Sequence, residues 1–219
     1  GAALHGEETP DYLELDLAVL DAAVAASRRF IAAGRSHVIG LSVHSTTMRT
    51  RRSREAYLAW LGEVDPAIRR RLFALVAEIE RGTPMIAITE WCTALRARVS
   101  RVALDFHLAD HAIGGIGGTR AWAASICLPV SAGQGRGARA EQLRQHLITW
   151  RKMLAPQGVR LIAYGIEDSF FLDAAANYVQ HCTRGRFRRR RSSDRAAAWP
   201  HRVRRCRRRS PPPPPPPRE

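Results

Sequence analysis

Asp, His, Asp and His fall within seven residues in the stretch Asp105-Phe106-His107-Leu108-Ala109-Asp110-His111. Carboxylate and imidazole at such spacing suit zinc or another transition metal, and His44 is a candidate to join them. The competing reading makes His107 and His111 solvated loop residues ahead of a glycine-rich turn. Gly114-Gly115-Ile116-Gly117-Gly118 invites comparison with a phosphate loop, but no Lys-Ser or Lys-Thr follows it. Trp60, Trp91, Trp122 and Trp150 read as packing residues rather than ligand stackers. The remaining chemistry gathers where short aliphatic runs stop on polar or small residues: LSVHS (Leu41 to Ser45), VALDF (Val102 to Phe106) and IAYGIED (Ile162 to Asp168).

These runs must be held by the elements between them, and their pattern is alternating. Asp11 to Ala33 reads as a helix whose Leu13, Leu17, Leu20, Val24 and Ile31 fall near one face, with Gly34 closing it. Strands are expected at His37 to Val43, Leu72 to Ile79, Val102 to Asp105, Trp122 to Val130 and Val159 to Tyr164. Helices are expected at Arg51 to Leu61, Thr83 to Val99, Ala138 to Leu154 and Ser169 to Asn177. A short turn or helix starts at Asp65-Pro66, and His107 to Gly118, with four glycines, reads as a loop. Such alternation belongs to a parallel sheet or barrel, and in βα-repeating folds the chemistry collects at strand C-termini.

Charge is unevenly spread along the 219 residues. The last 36 hold 14 of the 35 basic residues and two of the 20 acids, so +12 of the net +15 sits there. The body, residues 1–183, is therefore near neutral and asks for no polyanion partner. All but Lys152 of the basic residues are Arg, the signature of a GC-rich coding sequence. Residues 184–219, rich in Arg and Pro, are expected to be disordered and read as out-of-frame translation. The rival reading is a basic nucleic-acid-binding tail. Cys92, Cys127, Cys182 and Cys206 show no CxxC spacing, which fits reduced thiols and a cytoplasmic location. No apolar run approaches the roughly 18–20 residues of a membrane span.

At its strand ends the chain resembles the EAL domain, the (β/α)8-barrel phosphodiesterase family that hydrolyses cyclic di-GMP. The resemblance runs from about Gly6 to Gln180. GEETPDYLELDLAVLDAA resembles the family's stretch around its first helix, which implies that the signature Glu-Ala-Leu strand lies upstream of Gly1. LSVHS resembles the LSVN strand, with His44 where a metal-ligating Asn is expected. LFALVAEIE resembles the strand written LxxEITE and puts Glu78 on its metal-binding Glu; a second register would use MIAITE and Glu90. VALDF resembles ALDDFG, with Asp105 on the first Asp and Phe106 replacing the second. SICLP resembles the strand ending KID, with Cys127 replacing Lys. IAYGIED resembles AEGVE, with Tyr164 replacing the first Glu and Glu167 on the second. In YVQHC, Gln180 matches a Gln and His181 replaces a Gly.

The resemblance implies a partial TIM-type (β/α)8 barrel, α/β in class, with metal candidates Glu78 and Asp105. Two-metal hydrolysis needs a carboxylate cluster that clamps the phosphate and activates water. With Phe106, Cys127 and Tyr164 in polar family positions, and one lost electrostatic group commonly worth 10²- to 10³-fold in rate, turnover is expected to be absent. The expectation is a degenerate domain of cyclic di-GMP signalling that binds the nucleotide, a second copy or other signalling proteins. No cofactor is expected, and Mg2+ or Mn2+ only with residual activity. The alternatives are an active phosphodiesterase with a metal site rebuilt from His44, Asp105, His107 and His111, and the basic-tail binder.

Overall fold

A computed structural model describes residues 12–106, 112–127 and 136–164, with two further two-residue strands, His181–Cys182 and Arg204–Arg205. Helix α1 (Leu13–Ala32) precedes β1 (Ile39–His44), which runs directly into α2 (Ser45–Arg49) and then α3 (Arg51–Glu63). A single turn, α4 (Pro66–Arg69), leads into β2 (Leu72–Ala77). Asp65 starts that turn by accepting the Ala67 amide at 2.6 Å, and Pro66 takes the first helical position. Then come α5 (Met85–Arg96), β3 (Arg101–Phe106), a 3-10 stretch at Ala112–Thr119 and β4 (Ala123–Cys127). Helix α6 (Arg136–Leu154), a 3-10 turn (Ala155–Gln157) and β5 (Arg160–Tyr164) follow.

β1 to β5 lie side by side in chain order, every pair parallel. β6 (His181–Cys182) pairs parallel with β5, and β7 (Arg204–Arg205) pairs antiparallel with β6. In a parallel sheet, directly opposed residues point to the same side, so the register defines two faces. One carries Leu41, Val43, Ala74, Val76, Val102, Leu104, Phe106, Ala124, Ile126, Leu161 and Ala163, all within the main core. The helices cover this face with stripes at helical spacing. Ile88, Trp91, Cys92 and Leu95 of α5 are buried, as are Ala140, Leu143, Leu147, Trp150 and Leu154 of α6.

Within the described residues the expected helices and strands are present, with shifted ends. β2 stops at Ala77 because Glu78 takes φ 55, a left-handed conformation rarely adopted by a side chain without special support. α5 begins at Met85 because Pro84, at ψ 135, is still extended. The MIAITE register is corrected by the same helix, since Glu90 lies exposed within α5 and not at a strand end. The glycine run is not an open loop in its second half. Gly117 donates to Gln157 Oε1 at 2.6 Å, and a Cβ there would stand 2.8 Å from that oxygen. The final helix expected at Ser169 to Asn177, and the tail apart from Arg204–Arg205, lie outside the described residues.

Candidate functional site

The second face of the sheet holds the polar residues. His44 pairs with Ala77 at the ends of β1 and β2. Val76 pairs with Leu104, which brings Ala77 level with Asp105 one step on. Asp105 pairs with Ser125, Ser125 with Ile162, and Cys127 with Tyr164. One row across the C-terminal ends therefore reads His44, Ala77, Asp105, Ser125, Ile162, with Tyr164 above it on β5.

Asp105 of β3 is clasped from the next two strands, β4 and β5. Ser125 Oγ donates to Oδ1 at 2.9 Å, and the Tyr164 hydroxyl donates to Oδ2 at 2.6 Å. Position 164, where the resemblance expects an acid, thus supplies a neutral hydrogen-bond donor to the carboxylate. Two hydroxyl donors on one carboxylate hold its orientation and spread its charge.

At the other end of the row, His44 is tied to a residue that sequence reasoning did not single out. Asp16 of α1 is 1% exposed, and its oxygens take three hydrogens. Oδ1 accepts from His44 Nδ1 at 2.7 Å. Oδ2 accepts the His44 amide at 3.0 Å and the Thr47 hydroxyl at 2.6 Å. The Tyr12 ring stacks on the imidazole, with centroids 4.1 Å apart and planes 12° from parallel. A signal for Asp16 was present. Asp16, Leu20, Ala23, Val24 and Ser27 form the buried stripe of α1, so an acid stands in register with its apolar face. The charge of Asp16 also reaches α3, where burial first, and Asp16 second, push the Tyr57 phenol well above its usual range.

The other expected site residues are placed as follows. Glu78 sits just beyond β2, exposed, and its backbone carbonyl accepts the Ser45 hydroxyl at 2.6 Å. Ala77, not Glu78, occupies the row between His44 and Asp105. Phe106 faces the opposite side, 8% exposed and edge-on to Trp150 at 6.3 Å. It therefore fills the core and does not enter the polar row. His107, His111, Glu167, Gln180 and the Cys127 side chain lie outside the described residues. Among the described residues no three His, Cys, Asp or Glu side chains gather to hold a metal. His44 and Asp105 are two strand spacings apart, about 9–10 Å, and metal–ligand bonds are about 2.0–2.6 Å. With Ala77 between them and each already bonded to a neighbour, the described residues do not fit a metal centre.

Of the tryptophans, Trp91 and Trp150 are 2% and 0% exposed, and Trp60 packs against the core. Trp122 differs. It lies at the N-terminal end of the sheet, edge-on to Phe73 at 5.9 Å, with Arg101 and Arg160 guanidinium carbons 4.9 and 5.4 Å from its ring centre. This end of a βα fold ordinarily serves stability rather than chemistry. No described helix is long and apolar enough to cross a membrane.

No family model and no curated protein matches the chain. Solved structures do. A Xanthomonas citri FimX EAL domain in complex with c-diGMP is similar over 74% of this chain and 63% of that one, at 14% identity and a TM-score of 0.54. A Vibrio cholerae LapD S helix-GGDEF-EAL structure, bound to c-di-GMP, is similar over 76% of this chain and 41% of that one, at 11% identity and a TM-score of 0.56. A further FimX EAL domain covers 78% of this chain and 72% of that one, at 14% identity and a TM-score of 0.54. The chain thus spans less than two thirds of the length of the first two, and at such identities the likeness is one of fold. Helix-covered parallel strands in chain order, taken with these neighbours, give the protein an EAL-like, TIM-type α/β fold.

Proposed function

We propose that the chain is a degenerate EAL-type domain of bacterial cyclic di-GMP signalling, without phosphodiesterase activity, acting as a nucleotide-binding or protein-interaction module. The observation that carries this reading is the clasp on Asp105. Two-metal phosphodiester hydrolysis needs several hard oxygen ligands converging on cations that activate a water. The row at the strand ends offers one carboxylate among five residues, and Tyr164 donates a hydrogen to it at 2.6 Å instead of adding a second negative charge. Loss of the reaction leaves a strand-end surface suited to recognition. The FimX and LapD structures of like fold were solved with the cyclic dinucleotide bound, which makes it the first ligand to test. A cytoplasmic location, and a second copy or another signalling protein as partner, belong to the same reading.

The test is to incubate the purified chain with cyclic di-GMP and Mg2+ or Mn2+, and to follow the linear dinucleotide by chromatography. The expected result is no product above the protein-free blank, alongside binding seen in calorimetric titration. Linearisation that disappears in Asp105→Ala would overturn the reading.

A further inference from the structure

We infer that the N-terminal end of the sheet is a docking surface for an anionic lipid bilayer. The inference does not depend on the nucleotide, and it concerns the end of the fold opposite the Asp105 row.

Five stretches lead into the parallel strands at this end: residues 33–38, 64–71, 97–101, 120–122 and 155–160. Arg35 precedes β1, and the three arginines from Arg69 to Arg71 precede β2. Arg98 and Arg101 lead into β3, Arg120 precedes β4 and Arg160 opens β5. Against these eight arginines stands one acid, Asp65, whose side chain already accepts the Ala67 amide. The 21 basic and 18 acidic residues of the body therefore divide unevenly, eight and one in these stretches, 13 and 17 outside them. A body near neutral in sequence is +7 here and −4 over its other residues. Helices α1, α3, α5 and α6 end here with about half a negative charge each, which offsets about two of the seven. No described carboxylate takes up the rest: the ion pairs Arg49–Glu80, Arg51–Glu55 and Arg144–Glu141 involve none of the eight. Six of the eight are exposed, and Arg69 and Arg71 are half-buried.

Charge alone would suit any polyanion, and the apolar residues choose among them. Among the described residues five large hydrophobics are exposed, and three of them, Phe30, Ile31 and Val38, are at this end. Val38 is 62% exposed, immediately before β1 and three residues after Arg35. The Phe30 ring leans on His37, centroids 5.0 Å apart, which joins the last turn of α1 to the stretch 33–38 in one patch. Beside it, Ile31, Gly34, Arg35, Ser36 and Arg71 line a hollow of about 270 Å3. Two guanidinium groups and a hydroxyl around one hollow suit a phosphate ester. An exposed aliphatic chain has no partner on a nucleic-acid backbone, but it enters the boundary between headgroups and acyl chains. Docked in this way, the molecule turns the Asp105 row away from the bilayer by the length of a six-residue strand, about 20 Å. That exceeds a Debye length in physiological salt, so the strand ends stay open to a soluble ligand.

The experiment is sedimentation of the full chain with phosphatidylcholine–phosphatidylserine vesicles, with pure phosphatidylcholine as the control, and amide hydrogen exchange on the bound protein. The basic tail, residues 184–219, is a competing way to bind, and the exchange pattern separates the two. The expected result is binding to the anionic vesicles alone, weakened by salt, with exchange slowed in residues 33–38 and 69–71. Arg35→Gln combined with Arg70→Gln, both exposed, should lower partitioning roughly ten- to thirtyfold, each charge near an anionic surface being worth about fivefold. Val38→Gln leaves the charge unchanged and should lower partitioning roughly two- to fivefold, without altering binding to a duplex oligonucleotide. Protection confined to residues 184–219, with partitioning unmoved by these substitutions, assigns the binding to the tail and overturns the docking surface. If Val38→Gln has no effect and the arginine variant weakens vesicle and duplex binding equally, the end is a general polyanion site and the lipid assignment falls. Absence of sedimentation at low salt overturns it outright.

Discussion

The two faces of the sheet are built from the same strands and obey different rules. On the helix-covered face every position from Leu41 to Ala163 is apolar and inside the core. On the other face the rows alternate small, aromatic and charged residues: Gly40, Phe73 and Arg101 at one end, His44, Ala77, Asp105 and Ser125 at the other. The first face is held by area removed from water, which is insensitive to which aliphatic stands where. The second is held in part by individual hydrogen bonds and ring contacts, which give His44, Phe73, Arg101, Asp105 and Ser125 named partners. Residue identity therefore carries meaning on the second face and residue class on the first. Phe106 and Tyr164 make the point. Both replace acids that the resemblance expects, but Phe106 feeds the core while Tyr164 bonds to Asp105.

The largest expected effect breaks this distinction directly. Phe106→Asp would restore the acid of the family pattern, and on a polar face it would rebuild a site. Here it places an unpaired carboxylate 8% exposed beside Trp150. The expected loss is about 4 kcal/mol or more, in the range for burying an uncompensated charge. Urea unfolding measures it; an unchanged midpoint together with gained Mn2+ binding would place residue 106 on the site face instead.

The covered face also predicts an alkaline weakness. Burial pushes the Cys92 thiol up from 9.0 to about 11, against smaller opposing pulls from Thr119 and Arg96. The unfolded thiol ionises near pH 9 while the folded one stays neutral, so the unfolded state holds fewer protons above that pH. The contribution is intact below pH 9 and is lost as pH rises through about 11. Two pKa units correspond to about 2–3 kcal/mol. Cys92→Ala should flatten the fall in stability between these pH values; an equal slope in both proteins would show that the thiol is not responsible.

Legibility from sequence divides along the same line. The covered face is readable because short apolar runs report it: β1 and β3 lie within two residues of the strands expected at His37 to Val43 and Val102 to Asp105, and β2, ambiguous by periodicity alone, follows from the length of Leu72 to Ile79 and the Gly82-Thr83-Pro84 stop. Ends were missed where one backbone angle decides, as at Glu78 with its positive φ and at Pro84 with its extended ψ. The polar row was legible in part. The resemblance marks His44, Asp105 and Tyr164 at strand ends, but not Asp16. It lies 28 residues before His44, and pairing across that separation leaves no local pattern. Its one trace was an acid in the apolar stripe of α1. The resemblance puts Glu78 on the metal-binding Glu by motif and by its gap to VALDF, whereas the sheet register puts Ala77 in the row.

A smaller effect tests the crowded N-terminal end of the second face. A Cβ on Gly40 would stand 2.6 Å from the far end of the Phe73 ring. That ring lies against Trp122, which in turn carries Arg101 and Arg160. Gly40→Ala should cost about 1–2 kcal/mol, the lower part of the overpacking range, because the ring can shift. Tryptophan fluorescence should change with it, and Phe73→Leu in the same chain should recover most of the stability.

The smallest effect separates holding from binding at the C-terminal end. Tyr164→Phe removes the hydroxyl from Asp105 Oδ2 but keeps the ring, and Ser125 still donates to Oδ1. Losing one hydrogen bond to a half-buried carboxylate should cost about 1 kcal/mol, measured by denaturant unfolding. Metal binding should not appear, because removing the hydroxyl leaves Ala77 and Ser125 on either side of Asp105 and adds no ligand. Mn2+ titration followed by electron paramagnetic resonance decides. If the variant binds the ion tightly while the unaltered chain does not, the tyrosine is a plug in an otherwise complete metal site. If neither binds it, the row has too few oxygen ligands and the hydroxyl serves to hold Asp105 in place.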